Sequence, residues 1–513
     1  MGVKRYVATA DNTITNAFKS NLKTRGTGSN MGAADILETF HIYAQATTSS
    51  LEDERIIVRF PVSDITTNRN DGIIPASGSV DFYLRLYNAK HSQTVPRDFD
   101  LVVSAISGSQ DGSVAPVDWE EGTGLDMEGY TDLTYDVKGS NWIERAGSTA
   151  WASEGGDYYI DTSSSFTASF VTGIEDLELD ITPLVEQWLD SAGNVLGSKG
   201  NNGVLIKLRN DLEDASKSYY TKKFFSRTSE FFLKRPVIEA RWDSTKRDDR
   251  GNFHFSSSVA PAADNLNTLY LYNVINGQLQ NIPSVGTGVL WVSLYSGSGP
   301  ANTVPDQSKI LLPPGGGVVT SEDTNITGGY VSTGIYSASF AVTGTSALTK
   351  IFDVWHKSGT QFFTGSSIPK TFVTSEYNPN PTFVTSITNL KDVYSTREKD
   401  ARIRLFTRKE DWSPTIYTVA SKAANGEIIN DVYYKLFRVT DGFEIVPYAT
   451  GSSTPQAVGN AQSYTRLSYD ASGSYIDVDM GILEPGYAYG LQFMHYYNSG
   501  YREQPEIFKF RVE

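Results

Sequence analysis

Residues 181–208 read ITPLVEQWLDSAGNVLGSKGNNGVLIKL, and the two ends of this stretch follow different periods. Ile181, Leu184, Val185, Trp188 and Leu189 recur at i, i+3, i+4, i+7 and i+8, the spacing of one helix face. Past a Gly/Asn-rich break, Val204, Ile206 and Leu208 alternate with period two, the spacing of a strand. Thr182 is placed to cap the helix, and Pro183 suits its first turn. Elsewhere the chain repeats only the second pattern: alternation, turn, alternation. The expectation is an all-β protein that keeps a short helix. Leu184, Val185 and Trp188 would plug the open end of a sandwich.

Composition points the same way. The 513 residues include 44 Gly and 20 Pro, which punctuate turns, and 29 Tyr and 25 Phe, which favour strands. That length suggests about two to four domains. A mean hydropathy of −0.31 fits a soluble protein. No run reaches the ~20 apolar residues of a membrane span, and MGVKRYVATADNT lacks the apolar core of a secretory signal. With 59 acidic and 44 basic residues the net charge is −15, which repels phosphates and argues against nucleic acid as a partner. There is no cysteine, so disulfides, thiol catalysis and zinc–thiolate sites are excluded. Burial, and often oligomerisation, must hold such a chain together.

Three units are expected: 1–245, 246–376 and 377–513. The first opens on a polar arm (1–50) that either docks on a neighbouring subunit or wraps its own domain. Strands follow at RIIVRFPV (55–62), VDFYLRLYNA (80–89) and DLVVSAI (100–106), then a Trp-rich stretch (116–159). The charged segment DSTKRDD (243–249) reads as a solvated boundary, TSEYNPNP (374–381) as a hinge and PPGGG (313–317) as a turn. In the last unit LEPGYAYGLQF (483–493) resembles the tyrosine corner of immunoglobulin and fibronectin type III sandwiches. Tyr489 would return its hydroxyl to the backbone just upstream, with Leu483 in the core. Its role would be structural.

The first unit carries an ordered set of motifs. An aromatic-ended strand RIIVRF comes first, and Trp119, Glu121, Gly122, Trp142, Trp151 and Gly155-Gly156-Asp157 follow in the loop. Asp180 to Trp188 supplies a D-I-T-x-x-V-x-x-W helix, followed by Asn202-Gly203-Val204, Ser226 and Arg235-Pro236. This order resembles the DNRLRE-type domain, a jelly-roll-like β-sandwich of surface proteins related to carbohydrate-binding modules, over residues 40–243. The later stretches RIRLFTRKEDWSPTIYTVA and YIDVDMGILEPGYAYGLQF, with TADNTITNAFKSNLKTRGTGSN near the start, resemble large structural proteins of tailed, T4-like bacteriophages of marine hosts. The resemblance implies a non-enzymatic virion protein of neck, collar, tail or fibre base, forming a homo-oligomer and contacting other virion proteins. The fold expected is a tandem of β-sandwiches, jelly-roll-like first and immunoglobulin-like last. The alternative is a carbohydrate-binding or adhesive surface protein recognising host glycans through Trp119, Glu121, Trp142, Trp151 and Asp157.

Little else suggests chemistry. The five His (41, 91, 254, 356, 495) sit in no HExxH or Gly-x-Ser-x-Gly context. A glycosidase needs two acids converging about 5–9 Å apart. Glu120, Glu121 and Asp126 lie near the tryptophans, where aromatic residues serve packing, sugar stacking or a cleft. Asp118, Glu120, Asp126, Glu154 and Asp157 carry oxygens suited to calcium, without EF-hand spacing. The expectation is no catalytic residue, no metal and no cofactor.

Overall fold

In the first unit, strands alternate their side chains between two separate apolar clusters. A computed structural model of the chain describes residues 2–90, 96–108, 118–127, 139–190, 194–256, 265–297, 325–342, 350–369, 382–412, 426–451, 463–497 and 499–513. Four antiparallel strands form the smaller sheet, in the order Val3–Val7, Val237–Arg241, Asp81–Leu86, Leu177–Asp180. The larger sheet runs Tyr219–Phe225, Ile36–Tyr43, Leu51–Arg59, Val204–Leu208, Phe99–Ala105, Ser165–Phe170, and Ala10–Thr15 pairs with Leu51–Arg59 as a seventh strand. Ile56, Val58, Val204 and Ile206 point between the sheets, against Phe82, Leu84 and Ile238. Their neighbours Ile57 and Leu205 point the other way, into a cluster with Trp119, Trp142 and Trp151. The larger sheet is therefore buried on both faces, and every residue of Val204–Leu208 is buried.

The helix spans Thr182–Leu189, and Leu184, Val185 and Trp188 enter the core between the sheets. Thr182 is its first residue, not its cap. The Thr182 hydroxyl accepts from the Phe82 amide at 2.8 Å and donates to Asp180 Oδ1 at 2.6 Å, tying the helix to the adjacent strands. A second helix, Val62–Asn70, lies beside it, where the sequence had suggested the end of a strand. That strand stops at Arg59. Only Val62 and Ile65 of the second helix are buried, so VSDITTNRN shows no apolar stripe to read. Arg69 and Glu186 join the two helices through a pair of 2.7 Å bonds.

Residues 3–15 are not a polar arm. They form two strands, with Tyr6 and Ala8 in the main core and Ala10 and Ile14 in the tryptophan cluster. The polar residues that suggested an arm are buried with partners: the Asn12 amide donates to the Ser140 carbonyl and hydroxyl, both at 2.8 Å.

In the middle segment the strands follow the order Asn267–Tyr272, Ile335–Phe340, Asn325–Ser332, Leu290–Gly297, Lys350–Lys357, Thr360–Ser367. Asn325–Gly328 pairs with one neighbour and Gly329–Ser332 with the other, so the strand changes partners at two adjacent glycines. Both halves contribute to one core around Trp355 and Tyr336.

The last unit has two sheets. One orders Phe383–Ile387, Ala401–Lys409, Gly473–Val478, Ser468–Asp470; the other orders Val393–Tyr394, Phe508–Val512, Ala488–Tyr497, Asp431–Arg438, Glu444–Val446. Tyr489 is buried and its hydroxyl donates to the Glu484 carbonyl at 2.6 Å, with Leu483 in the same core.

The segment 243–250 is an ion-paired junction, not a solvated boundary. Arg466 binds Asp243 at 2.5 Å, Arg247 binds Asp431 at 2.6 Å, and Arg250 binds Asp353 at 2.6 Å. Asp249 accepts both the Tyr469 hydroxyl and the Thr268 amide, at 2.7 Å each. Val3 and Leu233 belong to the core of the last unit. Nearby, buried Glu239 is held by Arg5 and Arg241 at 2.7 Å and by Arg85 at 3.1 Å. The expected hinge at 374–381, the turn at 313–317 and the boundary at 376 lie outside the described residues. No described helix is long and apolar enough to cross a membrane.

Two outcomes follow. Trp188→Ala should cost about 3–5 kcal/mol in denaturant melts, the range for a buried aromatic. Trp188→Phe should cost much less, because the indole N–H has no partner among the described residues. The second concerns acid. Burial opposes the Glu239 charge, but Arg5, Arg85 and Arg241 override it and hold the carboxyl far below the usual carboxylate range. Its folded pKa is depressed from the unfolded value of about 4.3, so its contribution is complete above that value and fades as pH falls through the folded one. Glu239→Gln should cost about 3–5 kcal/mol at pH 7 and make stability less steeply dependent on pH below 4.5, read by urea melts from pH 7 to 3.

Candidate functional site

The loop bearing the three tryptophans lies across the outer face of the larger sheet. Trp119, Trp142 and Trp151 are 2, 5 and 5 % exposed. The Trp119 indole donates to the Asn202 carbonyl at 2.8 Å and the Trp151 indole to the Asn141 carbonyl at 2.9 Å. The Arg55 guanidinium lies 4.9 Å from the Trp142 ring and that of Arg59 5.3 Å from the Trp119 ring. None of these three indoles presents an open face on which a sugar ring could stack.

The acids proposed beside them are also committed. Glu121 takes two bonds from Arg227, at 2.8 and 2.7 Å, and one from the Asp11 amide at 2.9 Å. Asp157 accepts the Ala152 and Ser153 amides at 2.7 and 2.9 Å, closing the turn that precedes it. Gly155 has φ +85°, and a Cβ there would lie 2.6 Å from Arg55 Nη1 and 2.8 Å from the Trp142 ring. Its carbonyl instead receives Arg55 Nη1 at 2.8 Å. The Gly-Gly-Asp motif thus seats the loop on the sheet.

Beneath the loop runs a layer of buried charge. Arg55 binds Glu213 through Nε and Nη2 at 3.1 and 2.8 Å, and Lys207 also contacts Glu213. Burial pushes the Lys207 ammonium below its ordinary range, with the Arg55 charge adding to the shift. His41 bridges Asp53 Oδ1 at 2.7 Å and the Ala215 carbonyl at 2.9 Å. Burial lowers the pKa of His41, but the Asp53 bond and the Ala215 carbonyl outweigh it, and the net shift is upward. This layer was not visible in LEDERIIVRF, where a charged run reads as solvated. Glu52, Asp53, Glu54 and Arg55 are all buried.

The remaining candidates do not converge. Ser293 and His356 meet at 2.8 Å, but Ser293 is 1 % exposed and closed to a substrate. Burial alone lowers His495 to about 4. The His254 amide donates to Asn267 Oδ1 of the middle segment at 2.9 Å, and His91 lies outside the described residues. Glu120 accepts the Gly147 amide at 3.2 Å. Asp126 instead borders a cavity of about 510 Å³ with Glu38, Glu54 and Lys223. Among the described residues no three His, Asp or Glu side chains are grouped to hold a metal ion. The basic strand Ala401–Lys409 carries ion pairs at the surface, Arg402 to Asp477 and the half-buried Arg404 to Asp470.

No protein-family model matches the chain, and no curated protein matches it.

Glu213→Gln should cost about 3–5 kcal/mol, since it leaves Arg55 and Lys207 buried beside one another without a counter-charge. Thermal and urea melts of the full chain would read the loss, and a change below about 1 kcal/mol would mean that water reaches this layer.

Proposed function

We propose that this protein is a non-enzymatic structural component of a tailed-bacteriophage virion, acting through protein–protein contacts at the neck, collar, tail or fibre base. The identification rests on the sequence resemblance. The observation that carries the non-enzymatic, architectural part is the fate of the loop: its three tryptophans, Glu121 and Asp157 all serve internal packing. The finer fold assignment belongs to the same proposal. The last unit's two sheets support an immunoglobulin-like reading, because their order corresponds to A-B-E-D facing A′-G-F-C-C′, with the first short strand parallel to the last. The Tyr489–Glu484 bond is consistent with a tyrosine corner. In the first unit, two facing sheets plugged by Thr182–Leu189 are compatible with a jelly-roll-like domain. A homo-oligomer is part of the reading.

The test is the particle itself. Cryo-electron microscopy of intact virions should find this chain in symmetric copies, in contact with other virion proteins. The purified protein should show no shift of tryptophan fluorescence on addition of neutral host glycans. Absence of the chain from purified particles would overturn the virion reading. Saturable glycan binding with a fluorescence shift would favour the adhesive alternative.

A further inference from the structure

The cavity beside the tryptophan loop has apolar walls and an acidic floor. Phe40 and Ile42 come from the strand Ile36–Tyr43, and Ala17, Ala34, Met31 and Met127 from the segments around it. Glu54 lines the cavity at 5 % exposure. Its backbone carbonyl accepts the Thr39 hydroxyl at 2.7 Å, but its carboxyl group makes no hydrogen bond or ion pair among the described residues. A buried carboxyl without a partner is costly, so polar groups in native interiors are normally satisfied.

The surrounding charge does not satisfy it. Among the described residues, five carboxyl groups line the cavity, Asp35, Glu38, Glu52, Glu54 and Asp126, against two ammonium groups, Lys90 and Lys223. Lys223 is taken by Glu38 at 3.0 Å, and Glu52 already accepts the Phe18 amide at 2.9 Å. Asp126 accepts the Met127 amide at 2.7 Å. What is missing is a compact cation with several N–H donors. The walls add a preference for a hydrocarbon stem, and a thioether-lined wall adapts to its shape.

We propose that this cavity binds a primary alkylammonium group, with its nitrogen on the Glu54 carboxylate and its stem between Met31, Met127 and Phe40. An ammonium offers three donors at one point, which suits a floor of separate carboxyls better than a planar guanidinium does. The site stands whether or not the chain is a virion component. The same chemistry is carried by a free amine and by a lysine side chain of a partner protein.

A proton accompanies the binding. Burial, and next the charge of Glu38, push the Glu54 carboxyl well above its ordinary range, against the pull of Lys223. A cation seated on it favours the carboxylate, and the proton leaves to solvent. Uptake should therefore strengthen as pH rises toward neutrality.

Titration calorimetry of the full chain with n-hexylammonium chloride, in phosphate and in HEPES at one pH, tests both parts. Saturable one-site binding is expected, with a heat that differs between the buffers because a proton is released. 1-Hexanol should bind at least about tenfold more weakly, and Glu54→Gln should weaken hexylammonium by at least about tenfold. Tighter binding of Nα-acetyl-lysine amide than of hexylammonium assigns the natural source to a protein side chain, and the reverse order to a free amine. No saturable binding, equal binding of hexanol, or unchanged affinity in a folded Glu54→Gln variant overturns the proposal. If that variant does not fold, the unaltered chain decides: equal binding of 1-hexanol and hexylammonium overturns it.

Discussion

The larger sheet of the first unit must be covered on both faces, and much of the surrounding structure serves that requirement. Its inner face meets the smaller sheet and the helix Thr182–Leu189. Its outer face, carrying Ile57, Leu205, Ala10 and Ile14, is covered by the tryptophan loop. A loop covering a sheet face must satisfy its own backbone groups. That accounts for its polar staples: Asn12 on Ser140, Asn30 on the Glu121 and Ser140 carbonyls, and Asp157 on two amides. The two positive-φ glycines before Asp157 let the chain close down, Gly155 on Arg55 and Trp142 and Gly156 on Leu205.

Double burial also explains why so much charge lies inside. Arg55 and Lys207 occupy the outer face of adjacent strands, where the loop removes them from water, and Glu213 supplies their shared counter-charge. At the junction with the last unit Glu239 plays the converse part, one carboxylate among three guanidinium groups. Arg5 also reaches across to the Ile445 carbonyl at 2.6 Å. Buried ion pairs contribute little net stability relative to apolar packing, yet a pair broken by misplacement is expensive. Such networks therefore penalise wrong registers of the first and last strands more than they strengthen the right one.

These commitments bear on function. Residues that look like a ligand set in one dimension, aromatic beside acid beside glycine, are consumed in three dimensions by the scaffold. A carboxyl without a partner lies elsewhere, at Glu54 on the strand Leu51–Arg59.

Legible in the sequence were the strand-rich class, the helix around Trp188, the strand centres near 57, 84, 103 and 206, and Tyr489 of the last unit. All of these rest on local periodicity or on a short motif whose partners lie within a few residues. The helix Val62–Asn70 was not legible, because only two of its residues are buried and it has no stripe. Nor were the strands at residues 3–15, where the Asn12 and Asp11 side chains are satisfied by Ser140 and Arg227, more than a hundred positions away. The tertiary structure alone decided which face each tryptophan turned to, which charges were buried and paired, and that residues 243–250 join the units. Those outcomes depend on contacts between distant segments. A charged or aromatic residue has the same local pattern whether its partner is water, a ligand or another strand.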